Sequence, residues 1–198
     1  MNAKRVVGVV CGLFLHPCFA GDLEDGIRFH ERNNFAEARA SFQAAAAKGN
    51  AEALRRLGFM FYHGEGIAQD NQRAVTLFEK AAMAGDIQSA ANLGKMYEYG
   101  MGAAQDEKRA AFWHQRGAEL GDPDSQFNTS VMYYKGEGVA RDRVEAVKWW
   151  TLAMMKGGEV AERFRPSVES AEEKLTPPEI TEGRQRAAEW IKAHKSRR

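Results

Sequence analysis

The chain has 198 residues, of which 44% are hydrophobic, 10% aromatic and 28% charged, a globular balance that excludes disorder and a collagen-like fibre. Lys plus Arg number 28 against 27 Asp plus Glu; at a net charge of +1, no global basic excess points to nucleic acid and no acidic excess to a solvating tail. Two cysteines, Cys11 and Cys18, are too few for a disulfide-dense scaffold or a four-cysteine zinc site.

Residues 1–20 are the first element. Lys4 and Arg5 precede the apolar run Val6 to Leu15, and Cys18 and Ala20 place small residues three and one positions before a cut after Ala20. This is the tripartite pattern of a secretory signal peptide, and the run is shorter than the roughly 20 apolar residues that span a bilayer. The competing reading is an apolar helix retained in the fold. Lipidation at Cys18 is disfavoured, because His16 and Pro17 stand where small residues are wanted. Cleavage would remove Lys4, Arg5 and both cysteines, leaving 26 basic against 27 acidic side chains and no thiol. Stability would then come from packing alone.

Residues 21–50 read as a degenerate helix pair, its first helix at about residues 22–32. It introduces a period of 36 that then runs without gaps through residues 51–86, 87–122 and 123–158. Met60, Met96 and Met132 coincide, as do Gly64, Gly100 and Gly136, Gly66, Gly102 and Gly138, Asp70, Asp106 and Asp142, and Ala74, Ala110 and Ala146. Ala38, Phe42 and Gly49 precede Ala74, Phe78 and Gly85 by the same 36 residues. Gly26 and Phe29 match Gly58 and Phe61 if the loop is shortened.

Each unit reads as two helices. The first carries a small residue, Leu, Met and an aromatic at helical spacing and ends at Gly-x-Gly, where glycine supplies a left-handed cap. The aspartate suits the cap or first turn of the second helix. Gly58 and Ala74 are expected to let the two backbones approach. Leu77, Trp113 and Trp149 form a packing column. Trp150, aligned with Phe78 and His114, is expected to be half-buried. Gly-x-Gly follows a helix, not a strand, and lacks the third glycine of a dinucleotide fingerprint, which excludes a phosphate-cradling loop.

The tail, 159–198, breaks the period. Glu159 to Leu175 reads as a helix disturbed by Pro166. Thr176, Pro177 and Glu179 start another, with Ile180, Ala187, Trp190 and Ile191 on one apolar face and a frayed basic end, Lys195 to Arg198. This segment is expected to cap the last unit. The alternative is that Trp190 packs on a second protein.

The motif Ala-x-x-x-Leu-Gly-x-x-aromatic-x-x-Gly-x-Gly-Val/Ile-x-x-Asp, then Ala, an aromatic, Ala-Ala and Gly, resembles the Sel1-like repeat, a relative of the tetratricopeptide repeat with a longer loop. The third unit departs from it at Thr129, Ser130, Ala153 and Met154. The resemblance implies an all-α, right-handed solenoid of helix pairs that binds proteins or peptides. It further implies an exported adaptor or regulator, periplasmic or secreted. Cysteine-rich members bind or slowly hydrolyse penicillins, relying on a disulfide in each repeat that this chain lacks. A weak hydrolase of β-lactam or peptidoglycan-related compounds and a structural envelope scaffold are the rival readings.

No catalytic residue is identified. There is no nucleophile elbow, and His30, His63, His114 and His194 lack the spacing of a known zinc motif, so each reads as a surface or partly buried side chain. No metal or cofactor is expected. By analogy with tetratricopeptide proteins, the ligand-facing positions of the first helices are Glu52, Arg55, Phe59, Tyr62 and His63, then Gln88, Ala91, Lys95, Glu98 and Tyr99, then Asp124, Phe127, Val131, Tyr134 and Lys135. Helical spacing puts each set on one face. The sets change between units while the packing columns do not, and aromatics mixed with charge suit an interface. Packing between helices competes for Phe59, Phe127 and Val131. Tyr62, Lys95, Tyr99 and Tyr134 are the better-suited contacts, their polar tips fitting a wet surface.

Overall fold

A computed structural model describes residues 23–195; the expected signal peptide 1–20 and the basic end 196–198 lie outside the described residues. These residues form ten helices and no strand: α1 (Leu23–Glu31), α2 (Phe35–Ala47), α3 (Ala51–His63), α4 (Asn71–Met83), α5 (Ile87–Tyr99), α6 (Glu107–Glu119), α7 (Pro123–Lys135), α8 (Arg143–Met154), α9 (Gly158–Glu172) and α10 (Pro177–Lys195). From α1 to α8 each helix packs on the next, as helix pairs in a linear stack. The architecture is an all-α helical repeat solenoid.

The helix ends follow from a few side chains. Asn50, Asp86 and Asp122 accept the N–H of Ala53, Ser89 and Ser125 at the starts of α3, α5 and α7. Asp70, Asp106 and Asp142 accept the N–H of Arg73, Arg109 and Glu145 at the starts of α4, α6 and α8. Each such cap contributes about 1 kcal/mol. Gly64, Gly100 and Gly136 end the first helices in the left-handed region, at φ 73°, 68° and 84°. The loop then folds back, and the N–H of Asp70, Asp106 and Asp142 reaches the carbonyl of Phe61, Tyr97 and Tyr133.

The second glycine of each pair has a different task. A side chain at Gly66 would strike Phe35, one at Gly102 the Asn71 carbonyl, and one at Gly138 the Glu107 carbonyl. Those three residues are the first of α2, α4 and α6, so every loop seats on the start of the preceding unit's second helix. Hydrogen bonds repeat the register. The Tyr97 hydroxyl donates to Glu79 in the preceding unit and accepts from Arg109, and Gln115 donates to Tyr133 in the following unit.

The core corrects two expectations. The notch at Gly58 receives the Phe78 ring of α4, which would lie 2.6 Å from an added Cβ. Gly26 receives Phe42 and Gly94 receives His114 in the same way. This sinks the bulky Phe78, His114 and Trp150 column into the core, at 1%, 0% and 3% exposure, so Trp150 is not half-buried and His114 is neither on the surface nor partly buried. Trp113 and Trp149 are also buried, while Leu77 in their column is half-buried.

The tail departs from the period in space as well as in sequence. α9 falls where a further first helix would begin, yet α10 makes the main contact with α8. A side chain at Gly183 would strike Val147, which lies 36 residues after Ala111, a neighbour of Gly138. Trp190 packs edge-on against Trp149, with ring centres 6.0 Å apart, and Ala187 and Ile191 join them. α10 therefore covers the face that α8 turns away from α7. Its start is bracketed by Glu179, whose carboxylate accepts both the N–H and the hydroxyl of Thr176.

Candidate functional site

The positions singled out on α3, α5 and α7 recur every 36 residues on the same face of each helix, and the units differ in what they build there. On α3, Phe59 stacks on His63 at 5.8 Å and meets Phe78 edge-on at 5.1 Å. Tyr62 packs edge-on to His63 at 5.0 Å, and its hydroxyl points at the Met101 sulfur in the next unit, 3.6 Å away. His63 is exposed, while Phe59 and Tyr62 are half-buried against the core. Arg55 reaches Asp86 at 3.1 Å and Glu52 at 3.4 Å and is 17% exposed. Asp86 also caps α5, so this pair ties the first two full units together.

On α5 the same face is polar. Lys95 and Tyr99 are exposed, Tyr99 at 67%, and Glu98 stands between them. The Glu98 carboxylate pushes the Tyr99 phenol above its ordinary range, so the hydroxyl stays neutral. Beneath them lies His114, whose Nε2 is 3.5 Å from Glu98 and whose ring nitrogens make no hydrogen bond. Burial pushes the imidazole below its ordinary range, against the opposing pull of Glu98.

On α7 the face is largely covered by the chain itself. Phe127 stacks on Phe164 of α9 with ring centres 4.1 Å apart and planes within 6°. Asp124 pairs with Arg163 of α9. Tyr134 lies against Trp150 and under Arg141, and Lys135 pairs with Glu137 at 3.3 Å. Val131, Tyr134 and Lys135 border a cleft of about 330 Å³ between α7 and α9.

The sets thus remain on corresponding faces, but their accessibility differs. Lys95, Tyr99, His63 and Lys135 are exposed; Arg55, Phe59, Tyr62, Glu98, Phe127, Val131 and Tyr134 have neighbours within the protein. Sequence reasoning missed Phe164 and Val168, the α9 residues set against this face. Their signal was present as an apolar stripe, Ala161, Phe164 and Val168, but the place where it docks is a tertiary fact. Among the described residues no group of three or more His, Cys, Asp or Glu side chains is placed to hold a metal ion. No described helix is long and apolar enough to cross a membrane.

The family model of the Sel1 repeat matches residues 51–86, 87–122 and 123–158. No curated protein matches the chain. Among solved structures, a protective antigen of uropathogenic Escherichia coli displaying an SLR fold is 28% identical with a TM-score of 0.67, over 79% of this chain and 33% of that one. A Sel1 repeat protein from Oxalobacter formigenes is 26% identical with a TM-score of 0.65, over 72% of this chain and 43% of that one. The chain therefore spans about a third of the first relative's length and 43% of the second's.

Proposed function

The chain belongs to the Sel1-repeat family, and from that premise we propose that it is a binding adaptor or regulator that holds a protein or peptide partner on the face formed by α3, α5 and α7. Sel1-repeat folds commonly mediate protein–protein interaction and are generally non-catalytic. One observation carries the finer reading: Tyr99 is 67% exposed beside Lys95, at positions where neither side chain serves the repeat's packing. An exposed tyrosine flanked by charges of both signs can bury its ring while keeping its hydroxyl hydrogen-bonded, as interface anchors do. The reading needs no cofactor. Taking residues 1–20 as a cleavable signal adds an exported location, periplasmic or secreted, to the proposal.

The test is a pull-down from envelope extract with the full chain, tagged at its C-terminus, as bait. The control carries Lys95→Ala and Tyr99→Ala, two exposed side chains whose loss should leave the melting temperature nearly unchanged. Tyr62 and Tyr134 are poorer controls because both are half-buried against other groups. A partner captured by the parent chain and lost with the variant supports the reading. A partner retained by the variant, or none captured by either, overturns it.

A further inference from the structure

α9 is seated as a ligand would be. Three of its side chains meet the third unit at or behind the positions expected to face a partner. Arg163 pairs with Asp124, Phe164 stacks flat on Phe127, and Val168 packs in the cluster that holds Trp150 and Tyr134. Phe164 and Val168 are four residues apart and both buried, so one turn of helix presents an aromatic and a branched aliphatic anchor together.

The start and middle of the same helix lack the features that fix the helices of the regular units. It is capped by Gly157 and begins at Gly158, both at positive φ, and a side chain at either would meet nothing within 4 Å. No side chain caps its start, and its first backbone hydrogen bond, Ala161 to Gly157, is stretched to 3.5 Å. Pro166 removes a donor from its interior. Clefts flank it on both sides: about 330 Å³ towards α7, and about 340 Å³ towards α8 and α10, the second lined by Thr151, Met154 and Arg184 among others. The ion pair of Glu172 with Arg184 tethers its far end to α10.

We propose that the third-unit face, Asp124, Phe127, Tyr134 and Trp150, is a docking site for an amphipathic helix that carries an arginine followed by an aromatic, with a branched aliphatic four residues beyond the aromatic, and that α9 is its resident internal occupant. The external partner is a protein helix of that pattern, and it binds by displacing α9. This rests on the binding-face reading above, of which it names one part and the class of partner. Because α9 is attached through a short glycine hinge, it competes at high effective concentration, and the site's apparent affinity falls in proportion to the fraction of time it is uncovered.

The probe is a fluorescent peptide with the sequence of residues 158–175, with a scrambled peptide as control. It is titrated into the full chain and into a full chain whose own α9 is released by Phe164→Asp and Val168→Asp. The released chain should bind the peptide roughly tenfold or more tightly than the parent. Adding Phe127→Ala to the released chain should abolish that binding, and the scrambled peptide should not bind. Equal affinity for parent and released chains, or no binding to a folded released chain, overturns the proposal. If the released chain fails to fold, hydrogen exchange on the unaltered protein decides. Amides of 158–172 exchanging well ahead of those in α8 and α10 support an exchangeable cover, and equal protection makes α9 a fixed part of the fold. The peptide reads only the third unit, whereas the Lys95 and Tyr99 control reads the second. Failure here with a partner still lost from that control would overturn this inference alone.

Discussion

Gly102 and Gly85 both have positive φ, at 79° and 94°, yet they are not equivalent positions. A methyl group at Gly85 meets open space, so Gly85→Ala costs only the left-handed penalty, roughly 1–2 kcal/mol. At Gly102 the same methyl strikes the backbone of Asn71, where α4 begins, and the loop must lift off its neighbour. We expect Gly102→Ala to cost clearly more than Gly85→Ala in urea unfolding; equal losses would show that the loop does not depend on that close approach. His114 is the other telling residue. Its nitrogens are buried without hydrogen-bond partners, in the slot that holds phenylalanine in the preceding unit. Because burial holds the folded imidazole below its ordinary range, the unfolded chain binds the proton first as pH falls. The stability associated with neutral His114 is therefore present above about pH 6.5 and lost as pH falls through the folded value. His114→Phe should raise stability by about 1 kcal/mol at neutral pH, by removing unsatisfied polar atoms, and by more at pH 5. Thermal unfolding at pH 7 and pH 5 checks this; an unchanged gap between the two would show that His114 is not the titrating group.

Among the elements, α10 and α9 divide a task that the sequence assigned to one capping segment. α10 covers α8 through Trp190, Ala187 and Gly183, and its removal would expose Trp149 and Val147 to water. Trp190→Ala should destabilise the whole array by about 2 kcal/mol, because the lost ring leaves a gap against Trp149 that relaxes only in part. Urea unfolding measures it, and a loss under about 0.5 kcal/mol would mean that the α10 contact with α8 adds little to the stability of the array. α9 carries its own apolar stripe to the face of α7 instead, leaving clefts beside it. The helices of the regular units are bounded on both sides by caps, whereas α9 begins at a bare glycine, which is why exchange is assigned to it and not to α10.

For the whole molecule, a repeat of helix pairs makes a long face whose chemistry varies from unit to unit while its spacing stays constant. Here that face is aromatic on α3, charged on α5, and occupied by the chain's own helix on α7. The pull-down and the peptide titration therefore interrogate different stretches of one surface. The units touch directly through Tyr97 with Glu79 and Gln115 with Tyr133, and Arg55 pairs with Asp86, the cap of the next unit's first helix.

The repeat, its period, its helix pairs and the capping role of its aspartates and glycines were legible in the sequence. They depend on local chemistry: which residue tolerates positive φ, which side chain reaches an N–H three residues on, which apolar residues recur each turn. The deep burial of the bulky second-helix column was not legible. Phe78, His114 and Trp150 look like a mixed, half-exposed set until the notches at Gly58 and Gly94 are seen to receive the first two. Nor was the covering of Phe127 by Phe164, because nothing local distinguishes a stripe that docks on the neighbouring helix from one that docks 37 residues back in the chain. Sequence determined the unit, since a unit is built from neighbours along the chain. Tertiary structure alone decided which faces remained open, since burial depends on what the rest of the chain brings to that place.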